Sequence, residues 1–187
     1  KRDHNIALGT NAGAAVSSGD SNVLIGCAVG CSLISGSSNV AIGLIALRCA
    51  TTSGHNIAIG QAAQNVTTGV HNIALGYQSL YSTTDGGCNF AFGNRASHQM
   101  TSGSFNVVMG GCAGRCMTTG NRNIFLGDQA ACAFVSGDNN IAIGCRICVP
   151  LDTGSNQLAI GNRCCYYLVG DSSYNVGIGS TTPQDRL

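Results

Sequence analysis

Bulky apolar residues alternate with small ones over a short stretch that returns about every 17 residues along the whole chain. The unit reads Asn, bulky, small, bulky, Gly, as in Asn56-Ile57-Ala58-Ile59-Gly60. Its Gly falls at Gly9, Gly26, Gly43, Gly60, Gly76, Gly93, Gly110, Gly127, Gly144, Gly161 and Gly179. The steps between these 11 glycines are 17 residues, apart from one of 16 and a last one of 18. So fixed a period predicts coils stacked on one another, each touching only its neighbours. Period-two alternation rich in β-branched residues predicts that the unit itself is a strand.

The alternation also suggests sides. The bulky residues before and after each Ala are expected to point into the coil. The Ala column (Ala41, Ala58, Ala74, Ala91, Ala142, Ala159) then lies on the other face. A strand that is apolar on both faces is covered on both. No other part of the chain is free to supply that cover, so the Ala face is expected to form an interface with another copy. The repeating Gly marks a corner where backbones crowd or φ is positive.

The second half of each repeat is less regular. A small residue stands seven after the Asn (Ala12, Ala46, Ala96, Ala130) and an apolar one four further on (Val16, Leu33, Met100, Phe134). These spacings predict inward residues of a second, shorter strand. Pairs such as Ser18-Gly19, Thr68-Gly69 and Ser136-Gly137 follow, and are turn chemistry. The Asn column predicts a ladder of side-chain amides bonded from coil to coil. The fold expected is all-β: a parallel β-solenoid, or β-roll, of about eleven 17-residue coils. At ~4.8 Å per coil it forms a rod roughly 50 Å long. Residues 1–174 make the repeat array, and residues 175–187 make the terminal repeat and an exit segment towards a further C-terminal part. The chain opens inside a repeat at Lys1, so a preceding segment is also expected.

Composition narrows the function classes. Charged residues are 9% of the chain against about 25% in a typical domain. All eight acids are Asp and the only Lys is Lys1, so the usual residues of exposed helices are nearly absent. A net charge of +1 gives no electrostatic footprint for nucleic acid or an anionic membrane. No apolar run nears the ~20 residues that span a bilayer. A mean hydropathy of +0.18 with so few charges again favours burial between subunits.

Candidate chemistry is sparse. The 11 cysteines do not form matched zinc half-sites. The repeat register instead brings three pairs close: Cys148 with Cys165 in one column, and Cys31 with Cys49 and Cys116 with Cys132 one column apart. These are candidate disulfides; the other reading is small buried thiols. His55 and His71 precede consecutive repeat Asn residues and are expected to stack on an edge. No catalytic residue, metal site or cofactor is expected, and the chain is read as non-enzymatic. Tyr77, Tyr81, Arg95, His98 and Arg115 are the candidate receptor or glycan contacts, with Tyr166, Tyr167 and Tyr174 towards the end. Subunit contact is the competing role for the same residues.

Runs such as Asn72-Ile73-Ala74-Leu75-Gly76-Tyr77-Gln78-Ser79-Leu80 resemble the repeats of phage and virus tail-fibre proteins. The ending Asn175-Val176-Gly177-Ile178-Gly179-Ser180-Thr181-Thr182-Pro183 resembles the segment that closes such an array. The short motif is also similar to the head repeats of trimeric autotransporter adhesins, whose repeats are shorter. This resemblance implies a homotrimer in a virion fibre, with a host surface glycan or protein receptor and other fibre proteins as partners. The alternative it implies is a trimeric adhesin head on a bacterial cell surface.

Overall fold

The structure is a computed structural model that describes residues 4–65, 68–163 and 165–179. Thr67 and Cys164, and the expected exit segment beyond residue 179, lie outside the described residues. Ten three-to-five-residue strands stack in chain order: β1 (Ile6–Leu8), β2 (Val23–Ile25), β3 (Val40–Ile42), β4 (Ile57–Ile59), β5 (Ile73–Leu75), β6 (Phe90–Phe92), β7 (Val107–Met109), β8 (Ile124–Leu126), β9 (Ile141–Ile143) and β10 (Leu158–Asn162). Every adjacent pair is parallel and in register, Ala41 beside Ala58 and Ile42 beside Ile59. The fold is the all-β parallel solenoid the period predicts, with about nine coils rather than eleven. Its length is about 45 Å at the spacing of hydrogen-bonded strands.

The parallel stack ends one repeat early, at the tenth of the eleven motif copies. β11 (Cys165–Gly170) turns back and pairs antiparallel with β10, through a bulge at Ile160/Gly161. β12 (Val176–Ile178), which carries the last copy of the motif, then pairs antiparallel with β11. β11 and the turn that follows it therefore form a hairpin and not a coil. Asp171 knots its tip: the carboxylate accepts the backbone N–H groups of Ser173 at 2.9 Å and Asn175 at 3.0 Å. The Asn175 N–H is the main cause holding this carboxyl below its ordinary pKa.

The sides of the strand are the reverse of the sequence expectation. Ala41, Ala58, Ala74, Ala91, Ala142 and Ala159 are wholly buried inside the single chain. They cannot face a neighbouring subunit. The bulky residues flanking them point outward and stay partly exposed, Phe92 by 50% and Ile59 by 38%. The interior is too narrow for two large columns, because the turn side of each coil presses against the sheet.

That turn side is not a second strand. It is a run of turns in which residues two apart adopt left-handed backbone, such as Ile45 (φ 52°) with Leu47 (φ 52°), and Gln78 (φ 52°) with Leu80 (φ 49°). Left-handed backbone costs an L-residue about 1–2 kcal/mol, and it is held here by hydrogen bonds between coils. The Leu47 N–H donates to the Ala63 carbonyl at 3.1 Å, and the Leu80 N–H to the Ala96 carbonyl at 3.1 Å. Of the residues expected to point inward, Ala46, Ala96, Ala130, Leu33, Met100 and Phe134 are fully buried, and Ala12 in the first coil is partly buried. Leu151, in the same column as Leu33 and Phe134, is 59% exposed where the stack gives way to the hairpin.

Across the interior, large faces small. Leu24 on β2 fills the space over Gly13 and Gly30, where an added Cβ would lie 2.8 Å and 3.1 Å from its methyl groups. Phe125 and Val108 likewise share the space over Gly114. Where the strand carries Ala, as at Ala41 and Ala74, the turn side supplies Leu47 and Leu80. Burial of each Leu or Phe contributes about 1.5–3 kcal/mol.

The Asn ladder forms as expected. Asn106 is representative: its Oδ1 accepts both the backbone N–H (2.9 Å) and the amide N–H (3.1 Å) of Asn123, and its Nδ2 donates to the Gly120 carbonyl at 2.8 Å. The amides are buried and their bonds tie each coil to the next. Gln157 takes the place of Asn and reaches further, bonding the backbone of Leu151 on both sides. The corner glycines lie at φ near +130°, and a Cβ on Gly43 would sit 2.6 Å from the Gly60 carbonyl oxygen.

Candidate recognition surface

Stacking turns residues distant in sequence into columns about 4.8 Å apart. Tyr81, His98 and Arg115 occupy one such column, with 17 residues between successive members. They flank the inward-facing positions of the turn side, so they project outward. The rings of Tyr81 and His98 stack at 5.2 Å between centroids and 10° between planes. Beside them the Arg95 guanidinium lies 5.7 Å from the centre of the Tyr77 ring, and its Nε donates to Gln78 Oε1 at 3.2 Å. The five residues singled out by sequence are thus brought to one edge over three consecutive coils.

Burial lowers the pKa of His98, and the positive charges of Arg95 and Arg115 push it in the same direction. A neutral imidazole between two guanidinium groups is the resting arrangement near neutral pH. The edge is consequently positive, flat and aromatic, with one face of Tyr81 covered by His98. Tyr167 and Tyr174 are exposed on the terminal hairpin, 63% and 64%, away from this cluster in chain position, whereas Tyr166 packs against the core.

His55 and His71 stack on their edge, as expected, with centroids 4.9 Å apart and planes at 13°. Parallel rings at this separation do not aim two nitrogens at one point, which a tetrahedral ion requires. Among the described residues no group of three or more His, Cys, Asp or Glu side chains is placed to hold a metal ion.

None of the three predicted cysteine pairs is bridged. Cys31 and Cys49 are thiols, and the sulfur of Cys31 contacts the Arg48 carbonyl at 4.0 Å. Cys116 and Cys132 are joined through backbone, N–H to carbonyl at 3.2 Å, rather than through sulfur. Cys165 is not in a coil above Cys148 at all. It lies in β11, opposite Asn162 of β10, so the column that paired the two does not exist.

The sequence reading missed a groove on the edge where Ser/Thr and Gly recur. It crosses three coils and has a volume of about 260 Å³. Asp85, Ser102 and Thr119 form one wall, and Ser104 and Asn121 the other. Glycines 86, 103 and 120 form the floor. The columns were legible as turns, but a concave surface arises only when three turns stack in register. Comparison with protein-family models, with curated proteins and with solved structures finds no match.

Proposed function

We propose that this chain is a rigid segment of a viral or phage fibre, assembled as a homotrimer, that attaches the particle to a host surface. The observation that supports this reading is the outward apolar ladder on the sheet. Ile59, Phe92, Val107, Met109, Ile124 and Ile143 are each at least 36% exposed, and the columns they belong to run the length of the stack without a charge. Some twenty such side chains offer on the order of 1,000 Å² of apolar surface, more than the ~800 Å² per partner of a standard stable interface. Patches of this size on a lone soluble chain mark interaction sites. The surface repeats coil by coil, so an identical copy matches it in length and register. The interface therefore moves from the Ala column to the Ile, Val and Leu columns beside it.

A rod packed through its sheets leaves the turn edges facing solvent, where the repeat is irregular. Contact with a host glycan or protein receptor is assigned there, to the edge carrying Tyr77, Tyr81, Arg95, His98 and Arg115. Light scattering of the purified chain tests the assembly. A mass of three times the 19.0 kDa chain is expected. A monomeric mass that persists at high concentration overturns the proposal.

A further inference from the structure

The groove over Asp85, Ser102 and Thr119 lies between columns whose polar groups are committed to the next coil. Hydroxyl and amide groups there are generally spent on the neighbouring coil. Thr84 Oγ1 donates to the Thr101 carbonyl at 2.9 Å, and Thr101 Oγ1 to the Thr118 carbonyl at 3.0 Å. Ser104 Oγ accepts the Gly87 N–H, and Asn121 Oδ1 accepts the Ser104 N–H at 3.0 Å. The side chains of Asp85, Ser102 and Thr119 make no hydrogen bond within the described residues; only their backbone N–H groups are engaged. Three uncommitted polar groups thus line one wall, one per coil. The floor is fixed as glycine by the stacking itself: a Cβ on Gly103 or Gly120 would lie 2.5 Å from a carbonyl of the next coil. No side chain rises from it.

Two residues flank the opposite wall, that of Ser104 and Asn121. Phe105 follows Ser104 in the chain and is 56% exposed, and Arg122 follows Asn121. The Arg122 guanidinium lies 5.8 Å from the centre of the Phe105 ring. An aromatic platform beside a concave row of hydroxyl, carboxylate and amide groups suits a ligand with apolar C–H faces and many hydroxyls.

We infer that this groove, on the edge that carries Thr84, Thr101 and Thr118, binds a neutral sugar unit of a glycan. Asp85 accepts hydrogen bonds from two sugar hydroxyls, Ser102 and Thr119 donate or accept one each, and Phe105 stacks on a ring face. The Asp85 carboxylate and the Arg122 guanidinium beside the groove offset one another, so the site favours an uncharged ligand over a uronate, sialate or sulfate group. A divalent cation is a poorer fit, because calcium takes six to eight oxygen ligands and the wall offers one carboxylate. The inference rests on the reading of the chain as an attachment rod; binding is measured on the purified protein, so its failure is distinguishable from a failure to assemble.

The test is binding of the soluble protein to maltohexaose, cellohexaose, mannohexaose and chitohexaose, with hexagalacturonate as the charged comparator. Saturation-transfer NMR and calorimetry provide the readout. At least one neutral hexasaccharide is expected to bind. Asp85→Ala, and Ser102→Ala with Thr119→Ala, are expected to weaken it at least tenfold, and Phe105→Ala to abolish transfer to the ring protons. Arg48→Ala, away from the groove, leaves it unchanged. These are surface substitutions, and an unaltered melting curve confirms that each variant folds. The inference is overturned if no neutral sugar binds, if hexagalacturonate is preferred, or if binding survives the groove variants and is lost on Arg95→Ala with Arg115→Ala.

Discussion

Gln64 is fully buried, and both ends of its side-chain amide lack a hydrogen-bond partner among the described residues. The same position in the coils on either side is Leu47 and Leu80, also buried and also left-handed. Gln64→Leu therefore replaces an unsatisfied polar group by the residue its neighbours use. It is expected to stabilise the protein by about 1–3 kcal/mol, the desolvation cost of an unpaired group, read from the urea midpoint. Asn106 shows the opposite case. Asn106→Leu removes its own bonds and strands the Gly120 carbonyl and the Asn123 N–H in the interior. The expected loss is about 2–5 kcal/mol on the same scale of orphaned groups. A melting point within a degree of the parent would contradict the ladder's role. His98 titrates against two guanidinium groups and burial, so its folded pKa is depressed. The unfolded chain then binds the proton more readily, and stability falls as pH drops through the ordinary imidazole value of about 6.5 towards the folded value. Melting points of the parent and His98→Gln, taken from pH 8 to pH 5, should differ in slope within that window.

Each coil matches a strand residue to a turn residue across a narrow interior, and this matching is a property of the element. Ala74 faces the side of the coil that carries Leu80, whereas Leu24 faces Gly30. Ala74→Leu alone overfills the coil and should cost about 1–3 kcal/mol. Combined with Leu80→Gly, it reproduces the arrangement of the second coil, and much of the loss should return. A double-mutant cycle with no coupling would show that the two positions do not share space. The terminal hairpin belongs to the same scale. β11 continues the sheet in the reverse direction and β12 restores the original one, and the turn between them depends on the carboxylate of Asp171.

For the whole molecule, the sheet and the turn edges have separate roles. The sheet presents an apolar ladder of constant register, and the edges present side chains that change from coil to coil. Ile59→Asp together with Ile143→Asp puts charges into the ladder without touching the interior, since both side chains point outward. The variant should remain folded by circular dichroism and shift towards monomer in light scattering. An unchanged mass would place the interface elsewhere.

The repeat was legible because its consequences are local. A Gly every 17 residues marks a left-handed corner where a Cβ would strike the next carbonyl, and the amide of Asn can bond its own copy one coil away. The candidate cluster was legible in part, since residues 17 apart form columns, which is how Tyr81, His98 and Arg115 come together. The groove was not, because concavity is a property of three stacked turns rather than of any one of them. Left-handed backbone at Ile45 and Leu47 was hidden too, since nothing in an Ile or Leu announces a conformation it ordinarily avoids.

The period, the parallel register, the Asn ladder and the inward residues of the turn side follow from the order of residues alone. Which face of the strand lies inside follows from the packing of the coil. Period-two alternation states that Ile57 and Ile59 share a side and that Ala58 takes the other, and it is unchanged when the two sides are exchanged. The choice falls to volume: turns pressed against the sheet leave room for Ala and exclude Ile, so the large residues are left on the outside.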